Sequence, residues 1–178
     1  ILWWTPNPRA VLFPRELKIS RSLRKSIRNA GYLVSFDQDI SSVVERCAAP
    51  RRDAGTWITS QMARAYQRMH ELGHAHSVEV WRDDGLVGGL YGMAIGRVFF
   101  GESMFTHVSN ASKAGFITLV RCLEARHFSL IDSQVYTAHL ESMGAGEIPR
   151  ARYLEELQAA LNHATLRGPW TEWLNEDG

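Results

Sequence analysis

A chain of 178 residues that is 45% hydrophobic and 22% charged can bury one sizeable core, because domains commonly run to about 100–150 residues. It leaves no room for a long disordered tail, and its longest weakly charged stretch, residues 86–101, carries Arg97 and five glycines and so is no membrane span. Cys47 and Cys122 stand far apart without a CxxC partner, which argues against a disulfide framework or a cysteine-built zinc site and fits a reducing compartment. One soluble, intracellular α/β domain is expected. The chain begins Ile1-Leu2-Trp3-Trp4 without a Met or a basic-then-apolar leader, so a fragment or a processed product is expected. The net charge of +1 conceals an asymmetry. Residues 1–30 hold seven basic residues against Glu16 alone, a net of +6, and the rest of the chain carries −5. One end is suited to face an anion.

In chain order, Pro6, Pro8 and Pro14 predict an extended, irregular start. Ser20 can then cap a helix from Arg21 to Asn29 that Gly31 ends. Arg21, Arg24, Lys25 and Arg28 share one face of this helix, and Leu23 and Ile27 lie on another. The basic stripe is either a solvated face or a contact for RNA or DNA phosphates. A strand follows from Tyr32 to Phe36, then a short helix from Ile40 to Cys47. A longer helix, Gln61 to Leu72, is capped by Thr59 and stopped by Gly73. Ser77 to Arg82 alternates as a strand, Asp83-Asp84-Gly85 is a hairpin turn, and Leu86 to Ile95 and Arg97 to Phe105 complete an antiparallel meander with Gly96 at the bend. The period of Phe116, Leu119, Val120 and Leu123 marks a helix from Ser112 to Arg126, which delivers the chain to an apolar strand from Ser129 to Val135. Thr137 to Met143 reads as a helix closed by Gly144, Ile148-Pro149 as a brief edge strand, and Arg152 to Leu161 as the last helix. A meander, a crossover helix, a strand, a short helix and an edge strand resemble acetyltransferase (GNAT)-like domains. The expected fold is therefore α/β (α+β), a mixed, mostly antiparallel sheet flanked by helices.

His70-Glu71-Leu72-Gly73-His74 matches HExxH, in which two His one helical turn apart bind zinc and the Glu is a general base. That chemistry needs a continuous helix, yet Gly73 sits inside the motif where the helix should stop, and His76 would point along the following strand. A pair of His at a helix C-terminus, favoured by the helix dipole, is the simpler reading. No metal is expected.

Glu102 lies in Phe99-Phe100-Gly101-Glu102-Ser103-Met104-Phe105, and Asp132 in Leu130-Ile131-Asp132-Ser133-Gln134-Val135. A carboxylate on an apolar inner strand is costly unless it is paired or used. Each is either satisfied by a backbone amide or an Arg, or belongs to a site. Two such strands, with Gln134 on the same face as Asp132 by the period-two rule, favour a site.

The strings Trp3-Trp4-Thr5-Pro6-Asn7-Pro8-Arg9, Gly55-Thr56-Trp57-Ile58-Thr59, His70 to Trp81, Val87 to Gly92, Phe100 to Phe105, Asn110-Ala111-Ser112-Lys113 and Gly144 to Arg150 resemble the bacterial leucyl/phenylalanyl-tRNA-protein transferases, in order and over nearly the whole chain. The resemblance implies an acetyltransferase-like catalytic domain that moves Leu or Phe from Leu-tRNA or Phe-tRNA to the α-amino group of proteins with N-terminal Arg or Lys, marking them for degradation. It implies no cofactor; a cytoplasmic location, a monomer and no membrane partner are expected alongside it. On the resemblance, Asp132, Glu102 and Gln134 orient and help deprotonate the incoming amine, with Asp132 the most essential. Leu90, Phe99, Met104, Leu119 and Ile131 form the pocket for the transferred side chain, although plain core is their reading without the family. Leu90 and Leu119 stand where relatives can carry Met and Phe. Trp57 would meet the 3′-terminal adenosine, a contact worth about 1–3 kcal/mol, and the basic helix the tRNA backbone. Residues 1–178 are expected to form this single domain with a basic segment over 1–30, and the small N-terminal domain of relatives to be absent. Two other readings are a zinc metallopeptidase built on HExxH and a tRNA-binding module without catalysis.

Overall fold

The computed structural model describes residues 5–49 and 56–174; Trp3, Trp4 and Gly55 lie outside them. Seven strands form one sheet: β1 (Arg9–Leu12), β2 (Leu33–Phe36), β3 (Ala75–Arg82), β4 (Gly85–Ile95), β5 (Val98–Thr106), β6 (Leu130–Gln134) and β7 (Gly146–Ile148), with spatial order β2-β3-β4-β5-β6-β1-β7. Every neighbouring pair is antiparallel except β5 and β6. The helices are α1 (Arg21–Asn29), α2 (Ile40–Ala48), α3 (Ser60–Glu71), α4 (Ala111–Ala125), α5 (Ala138–Glu141) and α6 (Arg150–Leu161). This is the mixed, mostly antiparallel architecture expected from the element order.

Local chemistry sets most boundaries. The hydroxyls of Ser20 and Thr59 accept from the amides of Leu23 and Met62, which caps α1 and α3. Asp83 and Asp84 both take left-handed φ, 49° and 58°, as a tight two-residue hairpin requires. The start of the chain departs from expectation: residues 9–12 are a strand, inserted between β6 and β7 in the middle of the mixed half of the sheet. Pro8 precedes it and Pro14 follows it, so neither proline removes a ladder hydrogen bond. β3 also starts at Ala75, two residues before the expected Ser77.

The sheet is covered on both sides. On one face α4 buries Phe116, Leu119, Val120 and Leu123 against Val78, Leu90, Phe99 and Ile131, and α1 adds Leu23 and Ile27 at the edge. The other face carries α2 and α3, with Val43, Val44 and Tyr66 packed on Leu86, Tyr91 and Phe105, and α6, with Tyr153 and Ala160 on Val98 and Leu130. After α6 a strap of turns returns over the α4 face. Trp170 is 1% exposed and stacks between His76 at 3.5 Å and Trp173 at 3.9 Å, and Arg126 lies 4.3 Å over Trp173. The buried Asp37 carboxylate accepts from Trp170 N, Ser77 N and His76 Nδ1, so the strap is tied to the strand beneath it.

Two bulges mark the centre of the sheet. Tyr91 pairs with Ser103 but Gly92 with Gly101, which leaves Glu102 as the extra residue of β5. Ala10 pairs with Gln134 but Val11 with Asp132, which leaves Ser133 as the extra residue of β6. Gly92 makes the first bulge possible, because a Cβ there would run into Phe100 O and the Phe99 ring. Gly92→Ala is expected to cost about 1–3 kcal/mol through overpacking, a fall of about 2–4 °C in Tm per kcal/mol, which thermal melts followed by circular dichroism will measure.

Candidate active site

The parallel ladder between β5 and β6 runs only from Val98↔Leu130 to Phe100↔Asp132. Beyond that pair the two strands part, each at its bulge, and a cavity of about 880 Å³ opens between them, within the size range of small-molecule sites, about 300–1,000 Å³. Leu90, Phe99, Met104, Phe116, Ile131 and Leu140 supply its apolar walls, and Glu102, Ser133, Gln134 and Trp57 reach it as well. The cleft thus brings together four of the five residues expected in a side-chain pocket. Leu119 is not among them. It is fully buried and packs in the same core without lining the cavity, because it lies deeper on α4 than Ser112 and Phe116, which do line it.

Asp132 does not line the cavity either. It is 0% exposed and faces α6 and β1. Arg9 grips it with both arms, Nε to Oδ1 at 2.9 Å and Nη2 to Oδ2 at 2.7 Å. The Tyr153 hydroxyl donates to Oδ2 at 2.7 Å and the Gln134 amide to Oδ1 at 2.9 Å. Both ways of satisfying a buried carboxylate, an Arg and a backbone amide, are therefore used at once. Burial alone would lower the Arg9 pKa, but the hydrogen bond and charge of Asp132 hold it up. Burial and Asp132 both raise that of Tyr153, so it stays a donor. Asn7 Oδ1 accepts from Arg150 N at the start of α6, and so joins the segment carrying Arg9 to the helix carrying Tyr153. Neither Arg9 nor Tyr153 was legible as a partner. Arg9 is 123 residues from Asp132, and the one signal in the sequence was the need of a buried carboxylate for a cation.

Gln134 takes φ 59°, which ends the alternation of β6 and turns its side chain into the cleft, away from the face that Asp132 occupies. Its Nε2 donates to Gly101 O at 2.9 Å and bridges the two strands where their ladder has stopped. Glu102, the bulged residue opposite, is half-buried. Burial pushes its carboxyl above the ordinary 4.5, with Asp132 adding to the rise, and Tyr66 and Arg9 acting against it. Tyr66, on α3, packs edge-on to Tyr91 and Trp57, and burial beside Glu102 keeps its own hydroxyl protonated. Trp57 is 44% exposed at the rim.

The basic residues Arg21, Arg24, Lys25 and Arg28 are all exposed and form no ion pairs among the described residues. α1 sits beside the cleft, since Asn110 at the head of α4 donates to Ser26 Oγ and Tyr32 to Ser109 O, while Ser112 lines the cavity. The HExxH string is divided as expected: α3 ends at Glu71, Gly73 takes φ 77°, and β3 begins at Ala75. His70 Nδ1 donates to Ala75 O. The motif therefore lacks the continuous helix that would align two zinc ligands.

The fold is of the GNAT acetyltransferase-like type. A GCN5-related glucosamine N-acetyltransferase region of a fungal multi-domain β-N-acetylglucosaminidase superposes with a TM-score of 0.53 at 9% identity, over 80% of this chain and 20% of that one. L-PGS from Bacillus licheniformis also reaches 0.53, at 12% identity over 77% and 50%. At these identities the likeness concerns the fold alone. Sequence narrows the class further: residues 11–158 match the leucyl/phenylalanyl-tRNA protein transferase family, and the chain belongs to it. A leucyl/phenylalanyl-tRNA–protein transferase of Nitrosospira multiformis is 57% identical over 171 residues, 96% of this chain and 74% of that protein.

A raised carboxyl carries a stability signature. The folded chain holds the Glu102 proton more tightly than the unfolded chain, so this group's contribution is present below pH 4.5 and is lost as pH rises through its folded pKa. Glu102→Gln is therefore expected to melt above the unaltered chain at neutral pH, by a margin that shrinks as the pH falls toward 4.5, measured by thermal melts across that range.

Proposed function

We propose that this chain moves leucine or phenylalanine from Leu-tRNA or Phe-tRNA onto the α-amino group of proteins beginning with Arg or Lys, marking them for degradation, as a cytoplasmic monomer whose residues 1–178 act as one catalytic domain. The observation that carries the reading is the meeting of an apolar cavity and a half-buried carboxylate in one cleft at the end of the β5–β6 ladder. An aminoacyl ester has an apolar side chain to bury, and the incoming protein end brings an ammonium for which the negative Glu102 is a complement. Membership of the family supports the same assignment.

Leu90, Phe99, Met104 and Ile131 would enclose the Leu or Phe side chain. Trp57, exposed at the rim, would stack on or edge against the terminal adenosine, and α1 would follow the tRNA backbone. The ester is already activated, so catalysis consists of aligning the amine with the carbonyl, removing a proton from the ammonium and accommodating the tetrahedral oxyanion.

The test is transfer of labelled leucine from Leu-tRNA to two otherwise identical proteins, one beginning with Arg and one with Met. Transfer to the first alone is expected, falling at least about 100-fold in Glu102→Gln, as removal of a proton acceptor does. Binding of tRNA with no transfer to either protein would favour the non-catalytic module. A second measurement concerns α1. Replacing Arg21, Arg24, Lys25 and Arg28 by Ala should reduce the slope of log affinity for tRNA against log salt by about 0.7–0.9 for each phosphate that is no longer neutralised, with folding unchanged because all four side chains are exposed.

A further inference from the structure

We propose that the head of α4 is a phosphate site, in which the Ser112 hydroxyl, the Lys113 amide and the Lys113 ammonium hold the phosphodiester on the 5′ side of the terminal adenosine of the aminoacyl-tRNA. The proposal rests on the transferase reading above and deepens it, by assigning residues to a part of the tRNA that neither Trp57 nor α1 would meet.

α4 runs for 15 residues, and its first turn opens at the cleft, where Thr106 and Ser112 both line the cavity. The first amides of a helix have no partners within it and stand at the positive end of the helix dipole, which suits them to phosphate. A side chain just before the helix ordinarily satisfies one of them. Here Asn110 holds that position at φ 64° and does not cap, because its side chain reaches away to Ser26 Oγ. The Lys113 amide has no acceptor among the described residues. That of Ser112 has only the Thr106 hydroxyl at 3.5 Å, which itself donates to Val108 O. No acidic residue lies in this first turn.

The side chains of the same turn point to an anion independently. Ser112 is 3% exposed and lines the cavity, yet its hydroxyl has no hydrogen-bond partner among the described residues. A buried hydroxyl without a partner is costly, and an acceptor arriving in the cleft removes that cost. Lys113 forms no ion pair among the described residues, and its charge reaches the cavity wall: burial and Lys113 together lower the pKa of His139, which lines the cavity from α5. A lysine in a first turn opposes the helix dipole, an opposition that a bound anion relieves. Gly88 on β4 allows this turn its place, since a Cβ there would meet Ala111 Cβ at 2.7 Å and Ser112 N at 3.0 Å. The head of α4 is also joined to α1, through Asn110 to Ser26 and Tyr32 to Ser109. A tRNA end running from the apolar pocket to the basic face of α1 therefore passes Ser112 and Lys113, and the phosphodiester beside the adenosine is the first anion on that path.

The test is calorimetric binding of two stable analogues of the leucylated terminus, in which leucine is joined to adenosine through a 3′ amide. One carries a 5′-methyl phosphodiester and the other its uncharged methylphosphonate, of the same size. The unaltered chain should prefer the diester by at least about tenfold, as charge-assisted hydrogen bonds to one anion provide. Ser112→Ala and Lys113→Met should each reduce that preference at least about threefold, with near-ultraviolet circular dichroism intact. Ser112→Ala alters no charge, so its effect separates a built site from general attraction to a basic surface. Equal affinity for the two analogues, or an undiminished preference in either variant, would overturn the proposal. So would binding of inorganic phosphate alone with no discrimination between the analogues, which would mark a phosphate site unrelated to tRNA. Binding of neither analogue would overturn the transferase reading with it, whereas each of the other failures leaves that reading standing.

Discussion

The fully buried charge of Asp132 is the constraint around which the mixed half of the sheet is arranged. An ionised carboxylate out of contact with water is tolerated only when paired and fully hydrogen-bonded. Here the partners come from three elements far apart in sequence: Arg9 on β1, Gln134 on β6 and Tyr153 on α6. Breaking such a pair by removing one member typically costs about 3–5 kcal/mol, because a lone buried charge remains. The N-terminal strand is therefore an interior part of the fold, and its seat between β6 and β7 is specified by charge as well as by the burial of Ala10, Val11 and Leu12.

The same residue stands at the last rung of the one parallel ladder among the described strands. Past Phe100 and Asp132 the two strands no longer pair with each other, and a bulge on each directs Glu102 and Ser133 toward the opening. The apolar walls come from the core that α4 covers, while the polar groups come from the ends of the ladder. A cavity of this kind combines the low dielectric that strengthens electrostatic interactions with a carboxyl that burial pushes above its ordinary range.

Much of this was legible in the residues. The caps Ser20 and Thr59, the Asp83-Asp84-Gly85 turn and the period of α4 are local signals, and their elements stand within a few residues of where they were expected. The cost of burying Glu102 and Asp132 pointed to the β5–β6 pair, and a cavity does open there, lined by Glu102 and not by Asp132. What escaped was long-range. β1 is four residues between prolines, too short to display alternation, and its place in the sheet depends on partners more than 120 positions away. The direction of Gln134 escaped because the period-two rule assumes regular backbone, whereas its left-handed φ reverses the side chain. Leu119 looked like its pocket neighbours because periodicity separates buried from exposed faces and carries no information on depth within a core.

The strap that follows α6 bears on where the folded unit ends. The match to the family stops at residue 158, yet Trp170 fills the α4 face of the core and its amide satisfies the buried Asp37 carboxylate. Cutting the chain at the family boundary would expose the His76 ring and the flank of Phe128, and would leave Asp37 short of a donor beneath β3. The packed core in this sense reaches beyond the stretch that the family match covers, and Trp170 and Trp173 serve as its lid without lining the cleft.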